Sequence, residues 1–210
     1  SNVNRQIQAV TDNLGKAKIT ALRERIAQIN PDCAVHEVDD FIDADTLALL
    51  PAAADVVLDC TDQVKAKLAM IAFCKQRRQK LLTCGAAGGK TDATRIVQSD
   101  LAYSIQDPIL AKIRQQLRRE SRSLRSSHAG AVQNPKKPVK MDVPVLYSDE
   151  AVRYPVVSAS VCAVGDATVA AAPQGLNCAG FGSSVMVTAS FGMAAAQWAV
   201  AQILDMKKAR

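Results

Sequence analysis

The nine residues Ala54–Asp62, read as ADVVLDCTD, decide the fold. Val56, Val57 and Leu58 form a short apolar run that ends abruptly in Asp59, Cys60, Thr61 and Asp62. A continuous Val-rich run of this length predicts a central strand, buried on both faces of a parallel sheet. A helical pattern takes over from Gln63 to Gln79, so the polar residues fall at the carboxyl end of that strand. Open α/β sheets bind their ligands at such ends. A carboxylate there can hold Mg²⁺ on nucleotide phosphates. An Asp or Thr there can equally serve as the N-cap of the next helix.

Downstream, Val64, Leu68, Ile71 and Ala72 give a helical stripe, and the basic run Lys75–Lys80 suits the end of that helix. Leu81–Cys84 reads as the next strand. It is closed by Gly85-Ala86-Ala87-Gly88-Gly89, where glycine permits a sharp turn or a close approach of backbone to ligand. This stretch is not a G-x-G-x-x-G fingerprint. Arg95–Gln98 predicts a further strand, Pro108–Glu120 a helix and Val143–Tyr147 a strand returning to the sheet. Upstream, Ile19, Leu22, Ile26 and Ile29 recur at helical spacing in a segment that starts after Gly15 and stops at Asn30-Pro31. Cys33–Val38 predicts a strand and Asp45–Leu50 a short helix. The alternation is that of a doubly wound α/β fold, read here as a single domain over residues 1–210.

The 210 residues are 49% hydrophobic but only 4% aromatic, so Ala, Val, Leu and Ile must build the core. A formal charge of +6 favours an acidic partner, nucleic acid first. The cysteines Cys33, Cys60, Cys74, Cys84, Cys162 and Cys178 form no C-x-x-C pair, which gives a zinc site poor support. Their apolar settings point to reduced thiols and a cytoplasmic protein.

Three other stretches carry chemistry. Asn2, Arg5 and Gln6 form an N-x-x-R-Q cluster whose arginine fork could clamp phosphates; a solvated loop has the same composition. Lys16 and Lys18 fall in the first turn of a helix, where the dipole disfavours cations; a phosphate bound between lysine and helix N-terminus would remove the conflict, though surface lysines also occur there. From Lys112 to Lys140, nine Lys or Arg residues face one acid, Glu120. Ser121–Pro138 within that stretch reads as a mobile basic loop, an electrostatic footprint for RNA or simply solvated charge. From Ala167 to Leu204 the chain carries no charge. Its second half, Ser183–Leu204, is long enough to span a membrane, but its small and polar residues favour a helix packed inside the domain or a dimer.

Together, S-N-V-N-R-Q at Ser1–Gln6, G-K-A-K at Gly15–Lys18 and D-C-T-D at Asp59–Asp62 resemble, in order and separation, the ubiquitin-activating-enzyme-like (ThiF/MoeB/HesA) superfamily of adenylating enzymes. I-Q-D-P at Ile105–Pro108, Y-S-D-E at Tyr147–Glu150 and N-C-A-G-F-G-S-S at Asn177–Ser184 narrow the resemblance to its tRNA-modifying branch. That resemblance implies a Rossmann-like adenylation fold with ATP and Mg²⁺ but no zinc. Arg5 and Lys18 would contact ATP phosphates, Asn2 and Gln6 would line the nucleotide site, and Asp62 would hold Mg²⁺. The implied reaction activates the threonyl carboxylate of threonylcarbamoyladenosine, beside the tRNA anticodon, and closes it to a ring. Val145 stands near where some relatives carry a cysteine, which argues against an obligatory thioester. A homodimer and a cysteine desulfurase or sulphur-acceptor partner are also implied.

The superfamily begins with a strand, a glycine-rich loop, a helix and a strand ending in Asp, at least ~30 residues for any βαβ unit. None of this precedes Ser1, a polar opening without Met. The expectation is a segment upstream of Ser1, and poor ATP binding by a polypeptide that starts there. Two alternative functions remain: adenylation of the C-terminus of a ubiquitin-like sulphur carrier, and a non-catalytic RNA-binding or sulphur-transfer scaffold.

Overall fold

A computed structural model describes residues 3–43, 45–126, 138–153 and 182–208, with the side chains of 122–126 left out. Helix α1 (Lys18–Ile29) is followed by strand β1 (Val56–Asp59), helix α2 (Val64–Gln76) and strand β2 (Lys80–Cys84). Then come β3 (Ile96–Asp100), α3 (Pro108–Ser126), β4 (Pro144–Ser148) and α4 (Val185–Lys208). The sheet order is β1-β2-β4-β3. β1 and β4 both run parallel to β2, while β3 pairs antiparallel with β4. The sheet is therefore mixed.

Successive side chains of a strand point to opposite faces, and this divides the core in two. Leu81, Val145 and Tyr147 meet α2 and α3 through Ile71, Cys74, Ile109, Leu110 and Ile113. Leu82, Cys84 and Leu146 meet α4 through Val187, Phe191, Ala195 and Trp198. Helices thus cover both faces, as a doubly wound fold requires, and the fold class read from the sequence stands.

Several local expectations need correction. β1 is the edge of the sheet among the described residues, not its centre, and Leu58 is 39% exposed. Cys33–Val38 forms no ladder with any described strand; a β-run without a partner leaves its N–H and C=O groups to water. α3 continues to Ser126, six residues into the stretch expected to be a loop. Arg and Leu are good helix formers, so the basic composition does not stop the helix. Residues 127–137 of that stretch lie outside the described residues, as do Asn2, Cys162, Cys178 and residues 177–181 of the N-C-A-G-F-G-S-S motif. On α2 the buried face is Ala66, Lys67, Met70, Ile71 and Cys74, and Ala72 is exposed. The apolar stripe of α1 is uncovered, with only Ala21 buried and Ile29 74% exposed. The C-terminal helix starts at Val185 and runs to Lys208.

Candidate functional site

The carboxyl end of β1 is built around a buried ion pair. Lys67 Nζ lies 3.1 Å from Asp59 Oδ1, and both side chains are fully withdrawn from solvent. The same ammonium donates to Cys84 O at 2.7 Å and to Asp59 O at 3.5 Å, so its three protons meet three acceptors. One side chain of α2 therefore locks the ends of β1 and β2 together. Asp59 Oδ1 also accepts from Thr61 N (3.1 Å) and Thr61 Oγ1 (2.7 Å), which folds the chain sharply and presents Asp62 to solvent. Asp59 Oδ2 is buried with no donor among the described residues.

Two thiols flank this pair. Cys60 Sγ lies 3.9 Å from Cys84 Sγ. The hydrogen bond between the two thiols, helped by the Lys67 charge, lowers the Cys60 pKa to about 7. That same hydrogen bond, then burial, pushes the Cys84 thiol up.

The turn after β2 is held by carboxylates from later in the chain. Asp107 Oδ2 accepts from Ala86 N at 2.7 Å, while Oδ1 caps α3 through Ile109 N (3.0 Å) and Leu110 N (2.9 Å). Gly85 is required by this approach: a Cβ there would stand 2.1 Å from Asp107 Oδ2. Lys90, buried, donates to Gln106 O (2.9 Å), Ser148 O (3.0 Å) and Glu150 O, and burial pushes its pKa down. Glu150 accepts from Asp92 N (2.9 Å) and Thr91 N (2.8 Å), which hold its carboxyl at about 2. Gly89 N then donates to Gly182 O at 3.0 Å, and Asn4 Nδ2 donates to Ser183 O at 3.0 Å. The N-terminal loop, the glycine turn and the lead-in to α4 are thus linked at the carboxyl end of the sheet.

The residues singled out from sequence fall into two groups. Gln6 and Lys18 line one cavity of about 440 Å³ with Gly15 and Lys16. Arg5 is half-buried beside Asn4, to whose Oδ1 it donates at 3.0 Å. Lys18 is exposed at the first residue of α1, whose N-terminus has no side-chain cap and no acid in its first turn. Those N–H groups and Lys18 form a cationic mouth suited to an anion, while Lys16 is paired with Glu24 at 2.8 Å. Asp62 does not line that cavity, and it makes no hydrogen bond or ion pair among the described residues. Val145 is fully buried in the core below the sheet. Among the described residues no cluster of three or more His, Cys, Asp or Glu side chains could hold a metal.

Lys67, Lys90 and Asp107 were not read as functional from the sequence. Asp107-Pro108 carried a signal: an N-cap acid followed by Pro at the first helical position. Lys67 carried one too, as a charge set in the apolar face of α2, eight residues from Asp59.

Comparison with known proteins extends the likeness over the whole chain. The ThiF family signature matches residues 1–209. The tRNA threonylcarbamoyladenosine dehydratase of Escherichia coli strain K12 is 41% identical over 206 residues, covering 97% of this chain and 72% of the relative. The crystal structure of E. coli tRNA N6-threonylcarbamoyladenosine dehydratase, TcdA, in complex with ATP superposes with a TM-score of 0.75. The identity there is 37%, over 100% of this chain and 72% of that one. By contrast, the sulfur carrier protein ThiS adenylyltransferase of E. coli strain K12 is 33% identical over 88 residues, 42% of this chain and 35% of that protein.

Proposed function

The chain belongs to the ThiF family, and we propose that it is an ATP-dependent dehydratase acting on threonylcarbamoyladenosine in tRNA. The observation that carries this is the 41% identity to a dehydratase over 97% of the chain, whereas the likeness to a sulphur-carrier adenylyltransferase stops at 42%. A threonyl carboxylate oxygen attacks the α-phosphorus of ATP, and the bond to pyrophosphate breaks. The carbamoyl group then attacks the acyl carbon, and AMP and a proton leave. The sum is loss of one water from the nucleoside.

The first step brings a carboxylate onto a polyanion, so its barrier falls when fixed positive charge meets the charge that builds. Arg5 and Lys18 are assigned to the phosphates and Gln6, with Asn2, to the nucleotide. The uncapped N-terminus of α1, which begins at Lys18, supports that assignment. Mg²⁺ fits the acidic turn: Asp62 is exposed with open oxygens, Asp59 Oδ2 lacks a donor, and this ion needs only one or two carboxylates beside phosphate oxygens. Bound by Asp62, it would neutralise phosphate charge. Asp59 and Lys67 are positioning residues, since the buried pair fixes the turn that carries Asp62. Ring closure is intramolecular and needs orientation above all.

The test is pyrophosphate release with ATP, Mg²⁺ and tRNA carrying or lacking the modification. Release only with modified tRNA, lost in Asp62→Asn, is the expected result. Release with a carrier protein ending in Gly-Gly, and none with tRNA, would transfer the chain to the carrier-activating class. A homodimer belongs to the same reading. It is supported by Met186, Met193 and Val200, exposed at seven-residue spacing along α4. Sedimentation equilibrium giving the monomer mass would remove it.

A further inference from the structure

Helix α3 begins at the site and leads away from it. Its N-cap, Asp107, is bonded to Ala86 in the glycine turn, and the helix then carries Lys112, Arg114, Arg118 and Arg119 against a single acid, Glu120. Ala111, Arg114, Gln115, Arg118 and Arg119 line a surface groove of about 460 Å³. Arg114 is pinned at its rim, donating through Nη1 to Ser104 O (2.5 Å), Ser104 Oγ (2.7 Å) and Leu101 O (3.3 Å). All these acceptors are neutral. Burial, and then the charge of Arg118, push the Arg114 pKa down, while the Asp107 carboxylate at the start of the helix acts the other way. Arg118 and Arg119 are exposed and make no hydrogen bond or ion pair among the described residues. Glu120 accepts from Gln116 at 3.4 Å and does not line the groove.

A row of like charges held together on a rigid helix is destabilising unless an anion relieves it. At 1.5 Å per residue, Arg118 lies about 16 Å along the helix from Asp107. We propose that this groove seats the phosphate backbone of the tRNA next to the reacting nucleotide, with Arg118 and Arg119 on phosphates and Arg114 as a fixed anchor. The proposal rests on tRNA being the substrate and assigns part of its docking surface. Backbone contacts of this kind set position and carry no sequence information.

The experiment measures tRNA affinity of the protein across a salt series, for wild type, Arg118→Ala/Arg119→Ala and Lys207→Ala/Lys208→Ala. The last variant removes the same charge from the far end of α4. Losing two phosphate contacts lowers the slope of log K against log salt by about 1.4 to 1.8, which is about 25- to 60-fold in affinity at 0.1 M if the proteins converge at 1 M. KM for modified tRNA should rise by the same factor, with Trp198 emission unchanged as the check on folding. Affinity and slope within twofold of wild type would overturn the proposal. So would an equal loss in the α4 variant, because bulk charge would then be the cause. If the Arg118→Ala/Arg119→Ala variant loses tRNA affinity and slope as expected, yet wild type releases no pyrophosphate with modified tRNA, the dehydratase reading fails and the groove stands.

Discussion

Lys67 sits in the apolar face of α2 with its ammonium shared among Asp59 and two carbonyl oxygens. Moving both charges out of water has a large cost, and their mutual attraction offsets it only because every proton of the ammonium is used. Removing one partner leaves the other charge uncompensated. Lys67→Met should therefore cost about 3–5 kcal/mol. For a chain of this size that lowers Tm by roughly 6–20 °C at about 2–4 °C per kcal/mol. Adding Asp59→Asn in the same chain should recover much of the loss, because the stranded carboxylate is gone. Thermal unfolding of the two single variants and the double variant checks this. A Lys67→Met protein that melts within 2 °C of wild type would mean the pair is not under tension. Of this cluster, the sequence displayed Asp59 and Asp62 as polar residues at the end of an apolar run. Lys67 stayed hidden because a lysine on a helix reads as solvated unless its partner across the sheet is known. Asp62 was legible as an acid at a strand end, but nothing in its own spacing separates a ligand from a cap.

At the scale of elements, the junction of the glycine turn with α3 depends on one carboxylate. Asp107 closes two N–H groups of α3 and one of the turn after β2. A lost cap costs about 0.5–2 kcal/mol and a lost bond to a charged acceptor about 1.5–3, so Asp107→Ala should cost about 2–5 kcal/mol. Gly85→Ala drives a Cβ into the same carboxylate and should be severe alone, but milder when Asp107 is already Ala. A coupling of at least about 1 kcal/mol in urea denaturation is the expected result, and strict additivity would refute the geometry. The elements themselves were largely legible. β1, β2 and β4 are apolar runs ending in turn residues, and α2 and α3 carry helical stripes. Pairing was not legible: nothing in Ile96–Asp100 says that it runs antiparallel to β4, because register and direction are set by neighbours distant in sequence. The expected strand at Cys33–Val38 fails for a related reason, since β-propensity describes fit to a sheet rather than a backbone preference.

For the molecule as a whole, α4 poses the one question of placement. By length and composition it could cross a membrane, and Met193 on its outer face is 76% exposed. Its inner face, however, is committed to the sheet: Val187, Phe191 and Trp198 pack on Leu82, Cys84 and Leu146. Five of these are large apolar side chains, each worth about 1.5–3 kcal/mol when buried. Stripping α4 from the sheet would expose all of them, roughly 7–15 kcal/mol, about the whole stability of an ordinary domain. A bilayer could re-bury the helix's own side chains but not Leu82 and Leu146, which would be left facing water. We therefore expect α4 to stay on the sheet in the presence of lipid. Trp198 is the only tryptophan and lies buried in that interface, so its emission reports on it directly. The emission should be blue-shifted, resist acrylamide, and show no quenching by vesicles of brominated lipid. Quenching by the brominated chains would place Trp198 in the bilayer. The second core cluster would then be a resting state of a protein that opens on membranes.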